Sequence, residues 1–166
     1  MNKLKQTMDR VLGAVCCILF SAMVVIAVWQ VASRYIFNNP SSISEELLTY
    51  SFAWTAMLSA TLVFGQQDHM RLSYFADKLD SGKKLWLDLA IEGIVFIFAV
   101  LVLIYGGISI SSLEMIQTTP TLGVSMGLIY SIMPVSGVLI AVYAAIHIVN
   151  LYKEIHQSVG EEDRKI

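Results

Sequence analysis

Residues Val11 to Ser33, VLGAVCCILFSAMVVIAVWQVAS, run for 23 positions without a charge. A helix crossing the hydrocarbon core of a bilayer, roughly 30 Å thick, needs about 20 such residues. Lys3, Lys5 and Arg10 precede the run, as the basic flank of a secretory signal would. The run is too long for a signal core, and no Ala-x-Ala-like site follows it. It reads as a retained first span.

Three further apolar runs follow, Leu47 to Gly65, Leu85 to Leu113 and Met126 to Tyr152. Over all 166 residues, 56% are hydrophobic and 14% charged, with a mean hydropathy of +0.66. A soluble chain this short could not hide so much apolar surface. Lipid cannot satisfy free backbone groups, and a barrel would alternate in polarity, so the spans must be helices. The fold class expected is all-α, an integral membrane four-helix protein. The net charge of −2 points to no nucleic-acid partner.

The charges orient the bundle. Lys3, Lys5, Arg10, Arg71, Lys78, Lys83, Lys84, Lys153, Arg164 and Lys165 all fall on one side of the spans, and only Arg34 falls on the other. By the positive-inside rule both termini are cytoplasmic. The predicted layout is a cytoplasmic N-terminus (1–10), span one (11–33), an outer loop (34–46), span two (47–65), a cytoplasmic connection (66–84), span three (85–113), a second outer loop (114–125), span four (126–152) and a cytoplasmic tail (153–166). Within the connection, Leu72, Phe75, Ala76 and Leu79 recur at helical spacing. That pattern predicts a short amphipathic helix lying on the membrane surface between spans two and three. In the first outer loop Asn38-Asn39-Pro40 stops regular structure, and Ser42-x-x-Glu45 fits a capping box opening span two.

Polar groups inside spans are the functional candidates. Gln30 and Arg34 lie four apart near the outer end of span one. The favoured expectation is a structural ion pair from Arg34 to Glu45 or Glu46, joining spans one and two; a partner-facing or substrate-binding arginine is the alternative. Asp88 and Glu92 lie four apart at the start of span three. An interfacial role, with Lys84 balancing Asp88, is expected there rather than ion coupling. His147 shares a face with Tyr143 and Asn150 and is expected to hydrogen-bond a neighbouring helix. Asp68 and His69 lack a nearby nucleophile or metal cluster. Cys16 and Cys17, about 100° apart on a helix, read as small apolar residues. Gly137, Ala141 and Ala145 form a small-residue stripe for helix packing. Pro134 should kink span four, and Trp29 and Trp54 fit an aromatic belt or, for Trp54, burial between helices. No catalytic group, cofactor or metal site is legible, so an enzyme is not expected.

One arrangement is specific. Trp29-Gln30-Val31-Ala32-Ser33-Arg34-Tyr35-Ile36-Phe37-Asn38-Asn39-Pro40, then Ser44-Glu45-Glu46-Leu47, then Trp54 and His69, resembles the signature W-Q-V-x-x-R-Y-x-F-x-x-P of the small membrane subunit (DctQ-like, or Q subunit) of tripartite ATP-independent periplasmic (TRAP) transporters. The four-span layout agrees over nearly the whole chain, while the specific motifs lie in its first half. After His69, Arg71 and Ser73 interrupt the pattern that many relatives show.

The resemblance implies a bacterial inner-membrane scaffold subunit. TRAP systems import organic acids with an ion gradient, usually sodium, and without ATP. A periplasmic binding protein captures the solute, and a large elevator-type permease carries the substrate and sodium sites. The small subunit pairs with that permease and helps receive the binding protein. Sodium would therefore sit in the large subunit and not here. The outer loops, with Asn38, Asn39, Pro40 and Ser41 in one and Thr118, Thr119 and Thr121 in the other, are where the binding protein could dock. Relatives handle C4-dicarboxylates and sialic acids; the chain as a whole leans toward a sialic-acid system, though no single residue carries that. A self-sufficient small four-helix transporter is the competing class, but such proteins typically need a buried acid in the first span, and Val11 to Ser33 has none. An unrelated structural membrane adaptor is the third.

Overall fold

The computed structural model of the chain describes residues 2–66 and 81–162. The predicted interfacial helix and His69 lie outside the described residues. Helix α1 spans Asn2–Tyr35, α2 Ser42–Gln66 and α3 Ser81–Phe98. A π-helical segment, Ala99–Gly106, continues α3 into α4, Gly107–Leu113. Span four comprises α5, Met126–Tyr130, and α6, Ile132–Glu162. Four stretches are long and apolar enough to cross a membrane: Lys5–Tyr35, Ser42–Gln66, Leu87–Leu113 and Met126–Tyr152. Among the described residues there is no strand, only an isolated bridge between Thr118 and Ser125.

The helices pack in the spatial order α1, α2, α6, α3. Helix α1 pairs mainly with α2, and α6 lies between α2 and the span built from α3 and the π segment. Leu12, Cys16, Leu58, Ile132 and Tyr143 form the buried core, with Met8, Leu19, Trp54, Met57, Leu62 and Leu139 against it. Cys16 is thus a core residue and Cys17 is exposed; neither is in a disulfide. The outward faces are apolar, with Ile18, Val25, Ile94 and Ile97 among the side chains left uncovered. In lipid such a face needs no further partner.

Close helix contacts rest on missing side chains. A Cβ placed on Gly137 would lie 2.7 Å from the Leu103 Cβ and 3.1 Å from the Ile104 nitrogen, so α6 meets the π segment almost backbone to backbone. Gly107 does the same against Pro134, and Gly127 against the Ser111 carbonyl. The predicted stripe through Ala141 and Ala145 is corrected in part, because Ala145 is exposed. Each step of four residues turns about 40° beyond a full rotation. Two steps from Gly137 therefore leave the contact face, which instead follows Ser136, Ile140, Tyr143, Ala144 and His147.

Pro134 acts as expected, but upstream of itself. A helical proline collides with the carbonyl four residues earlier, here Tyr130, and donates no hydrogen bond to it. The helix accordingly ends at Tyr130 and restarts at Ile132, which puts Pro134 in the first turn of α6, where it is tolerated.

Candidate functional site at the rim between the helix ends

The rim is formed where α1 ends, α2 begins and the 114–125 loop crosses over. Asn38 terminates α1 in the left-handed conformation, φ 50°, which asparagine tolerates better than most residues. The chain is then locked in both directions. The Asn39 N–H donates to the Ser33 carbonyl at 3.1 Å, and the Ser33 hydroxyl donates to the Asn39 carbonyl at 2.5 Å. Helix α2 is capped one residue earlier than its sequence suggests. The Ser41 hydroxyl accepts from the Ser44 N–H at 3.4 Å and lies 3.0 Å from the Ser44 hydroxyl, so the cap is Ser41 with Ser44 rather than Ser42 with Glu45. Pro40 disfavours the helical region for the residue before it, Asn39, which keeps α1 from running on into the cap.

Glu46 is the organising side chain. One oxygen accepts from the Tyr50 hydroxyl at 3.0 Å, one turn along α2. The other accepts from the backbone N–H groups of Thr121, at 3.0 Å, and Leu122, at 2.9 Å. Adjacent N–H groups converging on one carboxylate oxygen make a small anion cradle. The loop that supplies them is closed on itself. Thr119 N–H donates to the Val124 carbonyl at 2.8 Å, and Val124 N–H donates to the Thr119 hydroxyl at 3.1 Å. Gly123 turns the loop at φ +66°, where a side chain would be strained. Below the rim, Trp54 Nε1–H donates to the Ile129 carbonyl at 3.0 Å, one of the acceptors exposed where α5 ends.

The expected ion pair is absent. Arg34 and Glu45 are both exposed, Glu46 is engaged by the loop, and Arg34 joins no ion pair among the described residues. The Arg34 guanidinium lies 5.9 Å from the centre of the Tyr35 ring. Gln30 is half-buried beneath it. Of the predicted docking residues, Asn38, Asn39, Pro40, Thr118 and Thr121 are exposed. Ser41 is half-buried as a cap, and Thr119 is buried at 3% exposure, so Thr119 builds the loop and cannot face a partner. Trp29, Tyr35 and Phe37 are outward, and the Trp29 and Phe37 rings lie 6.2 Å apart.

At the opposite end of the bundle, polar side chains join helices that the sequence treats separately. His147 Nδ1 lies 3.2 Å from Glu92 Oε1, with both side chains buried. The Tyr143 hydroxyl donates to Asp9 at 2.6 Å, linking α6 to α1. The interfacial role expected for Glu92 is therefore corrected: α6 covers it. Asp88 is half-buried, and the Lys84 side chain lies outside those described. Asn150, expected to share the His147 face, is exposed. Among the described residues no group of three His, Cys, Asp or Glu side chains is placed to hold a metal ion.

A four-helix bundle with apolar outer faces and polar contacts turned inward defines a multi-pass membrane protein. The sequence profile for the DctQ component of tripartite ATP-independent periplasmic transporters matches residues 23–154. The chain is 30% identical over 138 residues to the sialic acid TRAP transporter small permease protein SiaQ of Vibrio cholerae, covering 81% of this chain and 78% of that one. It is 27% identical over 141 residues to a TRAP transporter small permease protein of Haemophilus influenzae, covering 85% and 87%. The chain belongs to the DctQ family: it is a small permease subunit of a TRAP transporter, a multi-pass protein of the bacterial inner membrane.

Proposed function

We propose that this subunit pairs with a large elevator-type permease, extends its fixed scaffold, and helps seat a periplasmic binding protein during sodium-coupled import of an organic acid. The observation that carries this is where the family motif points. Trp29, Tyr35 and Phe37 are exposed, and among the described residues their ring contacts stay within the motif, Trp29 with Phe37 and Tyr35 with Arg34. Residues that neither pack nor catalyse are available to a partner. Along α1 itself, Ile18, Val25 and Trp29 lie on one stripe, each more than half exposed. That stripe is the face assigned to the large subunit.

The charge distribution in the sequence supports cytoplasmic termini, which turns the rim of Asn38, Asn39, Pro40, Thr118 and Thr121 toward the periplasm. The transported solute is proposed to be of the sialic acid or C4-dicarboxylate class, and the name of the Vibrio relative supports the first of these. Sodium is assigned to the large subunit, and neither catalysis nor a cofactor is assigned to this chain.

Proteoliposomes carrying this chain, its large partner and the binding protein test the reading. Uptake of a sialic acid or a C4-dicarboxylate should require all three and an inward sodium gradient. Uptake by this chain alone would overturn it, as would undiminished uptake in its absence.

A further inference from the structure

Between α1 and α2, Phe20, Met23, Val24, Ala27, Leu48 and Phe52 line a lateral cavity of about 450 Å³. The one hydroxyl on its wall, Thr49, donates to the Glu45 carbonyl at 3.0 Å. The cavity therefore offers an occupant only hydrocarbon. Both walls end in charge. On α1 the face continues from Ala27 through Val31 to Arg34, and on α2 Glu45 stands one turn before Leu48 and Thr49. Arg34 lies about 10 Å beyond Ala27 and about 21 Å beyond Phe20 at 1.5 Å per residue. One leaflet of hydrocarbon is about 15 Å deep, so the two charges stand at headgroup level while the cavity lies among the acyl chains.

We propose that this groove binds one phospholipid carrying both a phosphate and a primary ammonium, a phosphatidylethanolamine. An acyl chain fills the cavity, the phosphate meets Arg34, and the ammonium meets Glu45. Both side chains are exposed, and they form no ion pair with each other. A lipid without an ammonium would leave the Glu45 carboxylate beside the phosphate with only Arg34 to offset the repulsion. The proposal requires membrane embedding alone and stands apart from the transport reading.

The test is native mass spectrometry of the full chain, stripped of lipid in detergent and then given phosphatidylethanolamine or phosphatidylglycerol with the same acyl chains. One phosphatidylethanolamine should be retained about tenfold more tightly than the phosphatidylglycerol, the effect of one charge-assisted contact. Arg34→Gln should weaken phosphatidylethanolamine by a similar factor, and Glu45→Gln should abolish the preference between the lipids. Val24→Trp, which fills the groove, should weaken both. Arg34 and Glu45 are exposed, so their glutamine variants are expected to fold, as circular dichroism will check. Equal retention of the two lipids by the unaltered chain would overturn the proposal, as would a preference surviving in Glu45→Gln. Expulsion of the lipid when the large subunit binds would assign the groove to a protein interface instead.

Discussion

The Glu46 carboxylate accepts the backbone N–H of Leu122, 76 residues further along the chain, at 2.9 Å. Through that contact the start of the second span and the loop before the fourth form one surface. The 114–125 loop is uncharged between Met115 and Ser125 and holds its shape through its own backbone and Thr119. Glu46 ties it to α2 through the Thr121 and Leu122 N–H groups. Any partner resting on Thr118 and Thr121 would meet a loop held in place by a carboxylate of a different span.

Replacing that acceptor should free the loop without unfolding the bundle. Glu46→Ala removes the acceptor of the Thr121 and Leu122 N–H groups, and Tyr50 loses a partner. Hydrogen exchange at those two amides should accelerate while exchange through α6 stays unchanged. Affinity of the assembled transporter for its binding protein should fall with it. Unaltered exchange at Leu122 would show that Glu46 does not position the loop.

Gly137→Ala should destabilise the chain by about 1–3 kcal/mol, the usual cost of overpacking a tight contact. The added methyl would lie 2.7 Å from the Leu103 Cβ, and the nearby Ile104 nitrogen is backbone that cannot swing aside. At about 2–4 °C per kcal/mol for a chain of this size, thermal unfolding in detergent resolves the loss. Ala145→Leu, on the exposed side of α6, should shift the midpoint little. The reverse ranking would mean that the 137–145 stripe packs as a unit after all.

Trp54→Phe tests the break in span four. Phenylalanine keeps the ring but leaves the Ile129 carbonyl without the indole donor now 3.0 Å away. A lost hydrogen bond of this kind costs about 1–2 kcal/mol. Unfolding of the purified variant measures it. A midpoint matching the unaltered chain would mean that another donor replaces the indole.

The four spans and the all-helical class were legible because a bilayer imposes length and polarity locally, on runs such as Val11 to Ser33. The proline break was legible for the same reason, although its position at Ser131 followed from the carbonyl four residues upstream of Pro134. The rim was read only in part. Arg34 and Glu46 stand out as polar groups at span ends, and opposite charges near in sequence point to an ion pair. Glu46 instead met two backbone donors that carry no sequence signal. In the sequence Glu92 and His147 each stand out as polar groups within their own spans. Their contact depends on the rotation of α3 against α6, which the spacing within either helix does not report.

Glu92 is the group most open to being taken for an ion-coupling site, since it is a buried carboxylate in a transporter subunit. Its geometry supports a structural role. His147 Nδ1 stands 3.2 Å away on α6. Glu92 therefore ties α3 to α6 and has a partner within the chain. Glu92→Gln keeps the shape but weakens the contacts made to a charge, and a loss of about 1–3 kcal/mol in stability is expected. Asp88→Asn, at a half-buried position, should cost less. With proteoliposomes of the assembled transporter, both variants should leave the sodium-to-substrate ratio unchanged even where the uptake rate falls with the amount of intact complex. A ratio altered by Glu92→Gln, in complex that has assembled at normal yield, would place a coupling ion in this subunit and reverse the assignment of sodium to its partner.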